Sequence, residues 1–151
     1  MVEGYFKGKC GLRQGDPLSP YIFVIAMNYL SLILNKAAEE GKFAYHHECD
    51  ASKLIHLCFA DDLLIFMEGS LDSVQNVLQV LHEFQLRSGL AVSVQKSSFF
   101  ASNIPQEECD LIKFSTGMPQ GTLPVRSLVV DRPSWVNLEP CFVEVRSVVL
   151  G

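Results

Sequence analysis

The chain has 151 residues, the length of one domain with an ordinary hydrophobic core. Hydrophobic residues make up 48% and charged residues 19% of it, which excludes disordered, collagen-like and coiled-coil proteins. The formal net charge is −5, so no basic excess predicts nucleic-acid binding, and such a partner has to be argued from motifs.

The cysteines and the apolar stretches bear on the compartment. Five widely spaced cysteines without a C-x-x-C pair differ from a secreted disulfide scaffold and favour a reduced, intracellular compartment. No signal peptide follows Met1. The longest apolar stretch, residues 21–34, contains Asn28 and Ser31 and is shorter than the roughly 20 residues of a membrane span. We expect a core helix there and no membrane partner.

The first helix has two candidate starts. An Asp-Pro pair at residues 16–17 and a Ser-Pro pair at 19–20 each place an N-cap side chain before a proline in the first helical position. The helix is predicted to run to about Glu40 and to stop at Gly41. Residues 43–47 are then predicted to form a short strand.

An acidic hairpin is predicted next. Residues 54–59 and 63–67 are short apolar runs separated by Ala60, Asp61 and Asp62. Two adjacent carboxylates are costly to desolvate unless a cation compensates them. A divalent ion such as Mg²⁺ can do so, because it prefers oxygen ligands and takes one or two protein carboxylates. A simple exposed turn is the alternative interpretation of the Asp pair.

A second helix is predicted between Ser70, as N-cap, and Gly89, as C-terminal stop. Its apolar residues recur at helical spacing, which favours a face packed on the sheet over a partner-binding helix. These residues are Leu71, Val74, Leu78, Leu81 and Phe84.

The rest of the chain carries weaker signals. Residues 90–94 and 99–101 are predicted strands, and Pro105 is predicted to open a short helix to about Phe114. After Gly117, four prolines and short β-branched runs indicate irregular structure. The sum is an α+β fold with antiparallel strand pairing.

Two motifs identify a family. The Gly-Leu-Arg-Gln-Gly-Asp-Pro-Leu-Ser-Pro segment at residues 11–20 and the Phe-Ala-Asp-Asp segment at 59–62 closely resemble the palm of LINE-type, non-LTR retrotransposon reverse transcriptases. The resemblance implies a partial palm domain at residues 1–126, in which an antiparallel sheet with an acidic hairpin packs against two helices. Residues 127–151 are left as a divergent, weakly specified tail.

The resemblance assigns roles to individual residues. Asp61 matches the family's metal-binding carboxylate and Asp62 its supporting neighbour, so both are candidate catalytic residues and metal ligands. Lys96 matches a lysine near the triphosphate that would help to protonate the departing pyrophosphate. The resemblance implies template or nucleotide contacts for Arg13, Gln14, Gly15, Ser19, Pro20, Phe23, Phe59 and Ala60.

The implied reaction is RNA-templated DNA synthesis with two Mg²⁺ ions, or Mn²⁺ in their place. The implied partners are an RNA template, a DNA primer and a deoxynucleoside triphosphate. In the family a second essential aspartate lies on an earlier strand, and the only carboxylate before Gly11 is Glu3, which matches no family pattern. We therefore expect a truncated palm that is inactive alone and binds nucleic acid weakly or not at all.

Two alternatives stay open. The first is a non-catalytic retroelement remnant or protein-interaction module. The second is a zinc site made by His47, Cys49, His56 and Cys58, which strand alternation disfavours, because the last two share one face of a strand that the hairpin already explains. We interpret Cys58 as a small core residue. The expected location is intracellular, with nuclear action for a working relative that primes on chromosomal DNA.

Overall fold

In the computed structural model, side chains are described for residues 15–47, 49–60, 62–101 and 104–121, and the backbone alone for 142–145 and 148–150. These residues form three α-helices, a short 3₁₀ turn and six strands, which confirms the predicted α+β class. The helices are α1 (Ser19–Glu39), α2 (Leu71–Ser88) and α3 (Gln106–Thr116), and the 3₁₀ turn is Val94–Lys96. The strands are β1 (His56–Phe59), β2 (Asp62–Phe66), β3 (Leu90–Val92), β4 (Ser98–Phe100), β5 (Phe142–Val145) and β6 (Val148–Leu150).

The strands form two antiparallel sheets. The larger sheet has the order β1-β2-β5-β4, and β3 pairs with β6 in the smaller one. All three helices pack on one face of the larger sheet, where Leu63 and Ile65 of β2 are buried in the main core. Leu64 and Phe66 are buried on the opposite face, in a smaller cluster with Phe100. Strand β2 is therefore covered on both sides.

Helix α1 begins at Ser19 with Leu18 as its N-cap and Pro20 in its first turn, so neither Asp16 nor Ser19 is the N-cap that the sequence predicted. The Oδ1 atom of Asp16 accepts a hydrogen bond from the backbone N–H of Leu18 at 2.8 Å, and the helix starts at the next residue. Such a bond satisfies one of the free N–H groups at a helix start. The helix ends at Glu39, and Gly41 adopts a left-handed φ of 72°, as expected of a C-terminal stop.

Burial along α1 is confined to one stripe. The buried residues all lie from Met27 onward, while the first turns expose large apolar side chains.

By length and composition α1 could cross a membrane. An 18-residue stretch of the helix has a mean hydropathy of 1.4, and 28% of this stretch is buried. One such helix is weak support for a span, because the core helix of a soluble protein meets the same criterion.

Helix α2 confirms the predicted boundaries. The hydroxyl of Ser70 accepts a hydrogen bond from the N–H of Ser73 at 3.2 Å, and Gly89 has a left-handed φ of 73°. The buried residues of α2 follow helical spacing and pack into the main core, which confirms the core-facing interpretation of its apolar stripe.

Two predicted strands differ from the structure. Residues 43–47 form no strand, because the pairing with the end of β2 stops after one bond, from the N–H of Glu68 to the carbonyl of Ala44 at 3.0 Å. The predicted strand at 90–94 is shorter, since the chain turns into the 3₁₀ helix after β3.

The C-terminal part also differs from expectation. Irregular structure was predicted after Gly117, but residues 142–145 and 148–150 form β5 and β6. Both strands pair with partners far away in the sequence, and local patterns carry no information about such pairing. The proposed domain boundary at residue 126 stays a prediction.

Gly121 lies in a segment that is hydrogen-bonded to the outer edge of β4. The N–H of Phe99 donates to the carbonyl of Pro119 at 3.1 Å, and the N–H of Gly121 donates to the carbonyl of Phe99 at 2.8 Å. A Cβ atom on Gly121 would overlap the buried ring of Phe100. The glycine therefore permits a close approach of the two segments.

We predict that Gly121→Ala lowers the free energy of unfolding by about 1–3 kcal/mol, because the methyl group overpacks the Phe100 ring. Urea unfolding followed by circular dichroism would measure the loss. In a Phe100→Leu background the additional cost of Gly121→Ala should shrink, since the ring that it meets is gone. An equal cost in both backgrounds would contradict this explanation.

Candidate functional site

The acidic hairpin ends in a tight turn. Phe59 pairs with Asp62, so Asp62 is the first residue of β2 and not part of the turn itself. Ala60 has a φ of 52°, in the left-handed region that two-residue hairpin turns require and that few residues other than glycine adopt. Asp61 lies outside the described residues. The predicted hairpin is confirmed, with a shorter turn.

Asp62 stands at the exposed end of a buried strand. It is exposed, whereas the four following residues of β2 are buried. Among the described residues its carboxylate has no hydrogen-bond or ion-pair partner. The carboxylate is therefore held by a rigid strand and is accessible to a cation.

Strand alternation places Asp62 on the face opposite the helices. Leu63 is in the main core beneath the helices, so its neighbour Asp62 projects from the other face. Phe59 is the cross-strand partner of Asp62 and shares that face, where 84% of its surface is exposed. A carboxylate and an exposed aromatic ring thus lie side by side near the turn.

The direction of α1 follows from two contacts. The hydroxyl of Ser31 lies 2.7 Å from Nε2 of His56, at the start of β1. The bond between Glu68 and Ala44 places the chain just after α1 beside the far end of β2. The C-terminal half of α1 therefore lies at the base of the hairpin, and its N-terminal half extends toward the turn.

Helix and strand dimensions support this alignment. Phe23 lies about 12 Å from Ser31 along the helix axis. Phe59 lies about 10 Å from His56 along β1. The structure therefore brings Phe23, which is partly buried against the core, to the same end of the sheet as the hairpin turn.

The described part of the motif, residues 15–20, lies beyond Phe23 at this end. Gly15 is exposed and has a φ of 85°, which only glycine adopts without strain. Ser19 is partly buried and Pro20 is exposed in the first turn of the helix. Arg13 and Gln14 lie outside the described residues.

Lys96 reaches the same end through the register of the sheet. Ser98 pairs with Glu144, which in turn pairs with Leu64. Ser98 is therefore level with Leu64 across β5, two strand spacings or about 10 Å away. Lys96 ends the 3₁₀ turn two residues before Ser98, so it lies at the same end of the sheet as Asp62, which comes two residues before Leu64. Lys96 is exposed at the end of the 3₁₀ turn.

One end of the sheet therefore gathers the described candidate residues: Gly15, Ser19, Pro20, Phe23, Phe59, Ala60, Asp62 and Lys96. Sequence reasoning missed the contact between Ser31 and His56, for which no local signal exists.

The zinc interpretation is not supported. His47, Cys49, His56 and Cys58 are all described, and the part of the chain that the structure describes contains no group of three or more candidate metal ligands. Instead, His56 contacts Ser31. The core interpretation of Cys58 is wrong, since this residue is exposed on the edge strand β1.

Comparisons with known proteins point to one family. The family model described as "Reverse transcriptase (RNA-dependent DNA polymerase)" matches residues 2–115. An uncharacterized mitochondrial protein of Arabidopsis thaliana is 43% identical over 61 residues, which are 40% of this chain and 50% of that protein. The retrovirus-related Pol polyprotein from the type-1 retrotransposable element R2 of Popillia japonica is 31% identical over 86 residues, 57% of this chain and 13% of the polyprotein. The chain thus spans half or less of each relative, and no solved structure matches it.

His56 is a half-buried titratable group at the base of the hairpin. Burial lowers the pKa of its imidazole below the usual 6.5. Its Nδ1 atom is buried and has no hydrogen-bond partner among the described residues. Protonation would leave a charged N–H without an acceptor, so the folded state favours the neutral ring.

We predict that His56 makes the fold less stable in mild acid. The unfolded chain takes up the proton near pH 6.5 and the folded chain only at lower pH, so stability falls as the pH drops below about 6.5. His56→Gln should reduce this loss between about pH 7 and pH 5, as measured by urea unfolding at each pH.

Ser31→Ala is the control. It removes the hydrogen bond to Nε2 and should cost about 1 kcal/mol at neutral pH, while leaving the acid-dependent loss in place. An acid-dependent loss that survives His56→Gln undiminished would assign it to other groups.

Proposed function

Because the chain belongs to the reverse transcriptase (RNA-dependent DNA polymerase) family, we propose that it forms the hairpin-bearing part of a palm for RNA-templated DNA synthesis. The observation that carries the proposal is the exposed carboxylate of Asp62 at the end of a doubly buried strand, with Lys96 at the same end of the sheet. The similarity to the Pol polyprotein of element R2 and the motif at residues 11–20 support a source in the LINE-type, non-LTR class.

Asp61 and Asp62 are the proposed ligands for Mg²⁺, with Mn²⁺ as a substitute. The donor set fits, because carboxylate oxygens are what these ions prefer and Asp62 is exposed without a cationic partner among the described residues. Such an ion, when bound, neutralises the charge that develops on the transferred phosphoryl group. The rigid strand β2 would keep at least one carboxylate at a fixed position.

The other residues at this end of the sheet would orient substrates. In the proposed reaction a primer 3′-hydroxyl attacks the α-phosphate of a deoxynucleoside triphosphate, and pyrophosphate leaves. The exposed ammonium of Lys96 would contact the triphosphate and donate a proton to the leaving pyrophosphate. The exposed ring of Phe59 offers a stacking surface for a base or sugar. The turn at Gly15 and the first turn of α1, with Phe23, would contact template and nucleotide.

We further propose that these 151 residues do not complete the catalytic site. Two-metal catalysis needs carboxylates that converge from more than one strand, and the hairpin supplies Asp61 and Asp62 as chain neighbours at one end of β2. The missing aspartate would come from chain outside this sequence, which makes the chain a truncated palm. Its net charge of −5 agrees with weak nucleic-acid binding by this part alone. We place its action inside the cell, and in the nucleus for an active relative.

A protein-interaction role is the second candidate, and a specific surface favours it. The N-terminal half of α1 exposes adjacent large apolar side chains, which in a soluble protein mark a contact surface or a tendency to associate. These are Tyr21, Ile22, Val24 and Ile25, together with Leu18, which immediately precedes the helix. A remnant without catalytic function would retain this surface and lose the need for the carboxylates.

Metal binding at the hairpin separates the two candidates. A site formed by few carboxylates binds weakly, so the test uses Mn²⁺ at millimolar concentration. We predict that it broadens the amide NMR signals of Ala60 and Asp62 more than those of α2, because the paramagnetic ion would be bound next to the hairpin. The double substitution Asp61→Asn with Asp62→Asn should abolish the broadening. Asp50→Asn removes an exposed carboxylate elsewhere and should leave it unchanged. Broadening that persists in the double variant would contradict a metal site at the hairpin.

Primer extension tests the claim of an incomplete site. We predict no Mg²⁺-dependent incorporation of deoxynucleotides by the purified chain on an RNA template, because two neighbouring aspartates at one strand end are too few for two-metal catalysis. The assay is gel-resolved extension of a labelled primer. Extension that Asp61→Asn abolishes would show that the site is complete and would overturn this part of the proposal.

A further inference from the structure

The central strand β5 comes from outside the residues that the family model matches. The match ends at residue 115, while β5 is Phe142–Val145. Both neighbours of β5 in the sheet, β2 and β4, lie inside the matched region. The matched region thus contains a gap one strand wide, and the C-terminal tail fills it.

Hydrogen-bond alternation identifies the backbone groups that face this gap. The N–H of Phe66 donates to the carbonyl of Ile55 at 2.7 Å, on the β1 side of β2. Neighbouring residues of a strand point their backbone groups to opposite sides, so the groups of Leu63 and Ile65 face β5. Phe99 bonds to Pro119 and Gly121 on the outer side of β4. By the same alternation Ser98 and Phe100 face β5.

We propose that this gap is a strand-acceptor site that binds an extended peptide segment, and that the tail segment 142–150 is its exchangeable occupant. The acceptor site is defined by the backbone N–H and C=O groups of Leu63, Ile65, Ser98 and Phe100. An extended segment bonds to β2 on one side and to β4 on the other. It uses the same main-chain hydrogen bonds by which strands add to open sheet edges.

The chemistry of the occupant follows from the surroundings. Leu63, Ile65 and Phe100 are buried, so a strand between them has to satisfy backbone groups in a place that water does not reach. The sequence of the tail segment suits this, since Val143, Val145, Val148 and Val149 are β-branched residues that favour extended backbone. The same segment continues into β6, which pairs with β3 and adds a second attachment.

The covalent link makes the tail the preferred occupant. Residues 122–141 connect Gly121 to β5, and a tethered segment competes at an effective concentration of about millimolar. A free peptide of the same sequence would therefore bind poorly while the tail is in place. When the tail cannot pair, the site becomes available to that peptide.

Val143→Pro in the full chain disables the tail. Val143 is the middle of β5 and pairs with both Ile65 and Phe99. Proline lacks the N–H that the ladder needs and is confined to strand edges. Val143→Ala is the matched control, because it keeps the N–H while also removing the valine side chain.

The first measurement is residue-resolved amide hydrogen exchange. In the wild-type chain the amides of Leu63, Ile65, Ser98 and Phe100 should be protected. In the Val143→Pro variant they should lose protection, whereas Phe66 and Phe99, which bond to other neighbours, keep it. Unprotected amides at these four residues in the wild-type chain would overturn the proposal, even where the variant fails to fold.

The second measurement is binding of a fluorescent synthetic peptide of residues 142–150. We expect it to bind the Val143→Pro chain at least about tenfold more tightly than the wild-type or Val143→Ala chains. The same peptide carrying Val143→Pro should bind none of them. Equal binding to all three chains, or no binding to a folded Val143→Pro chain, would overturn the proposal. Neither measurement depends on metal binding or polymerase activity, so failure here is distinct from failure of the proposed function.

Discussion

Strand β2 is buried on both faces, and most of the structure is arranged around this strand. Leu63 and Ile65 fill the core beneath the helices, and Leu64 and Phe66 fill the smaller cluster opposite. A slip by one residue would exchange the two faces and turn the carboxylate of Asp62 toward the core beneath the helices, where an unpaired charge is costly to bury, so the register is fixed. The exposed Asp62 at the end of this strand is therefore held at a fixed position, which a carboxylate that binds a metal ion requires.

The features that sequence predicted well are those with local causes. Helix α2 begins at a serine cap and ends at a left-handed glycine, and both signals act within one helical turn. The hairpin was visible because two apolar runs flank a short polar turn. Residues 43–47 have similar β propensity but form no strand, since a single bond, between Ala44 and Glu68, joins them to the chain at the end of β2. A ladder needs several such bonds. Propensity indicates where a strand can form, and pairing decides whether it does.

In the candidate site, too, the sequence predicted the local features and could not predict the contacts between distant residues. The sequence placed Asp61 and Asp62 at a turn and the motif at residues 11–20 before a helix, but spacing alone could not bring Lys96 to the same end of the sheet as Asp62. That placement depends on the register between β2, β5 and β4, and so on a strand from the far end of the chain. The bond of Ser31 with His56, which fixes the direction of α1 relative to the hairpin, likewise joins residues that are 25 apart in the sequence.

The topology of the sheet links the strand-acceptor site to the proposed chemistry. Strand β2 has two neighbour positions, and β1 holds one of them through the hairpin. Any second strand that pairs with β2 and brings a further carboxylate close to Asp62 has to take the other position, which β5 now holds. The tail and a second carboxylate-bearing strand therefore cannot occupy this position beside β2 at the same time. While β5 pairs with β2, no other strand can take this position, so a segment that brought a further carboxylate there would require the tail to leave first.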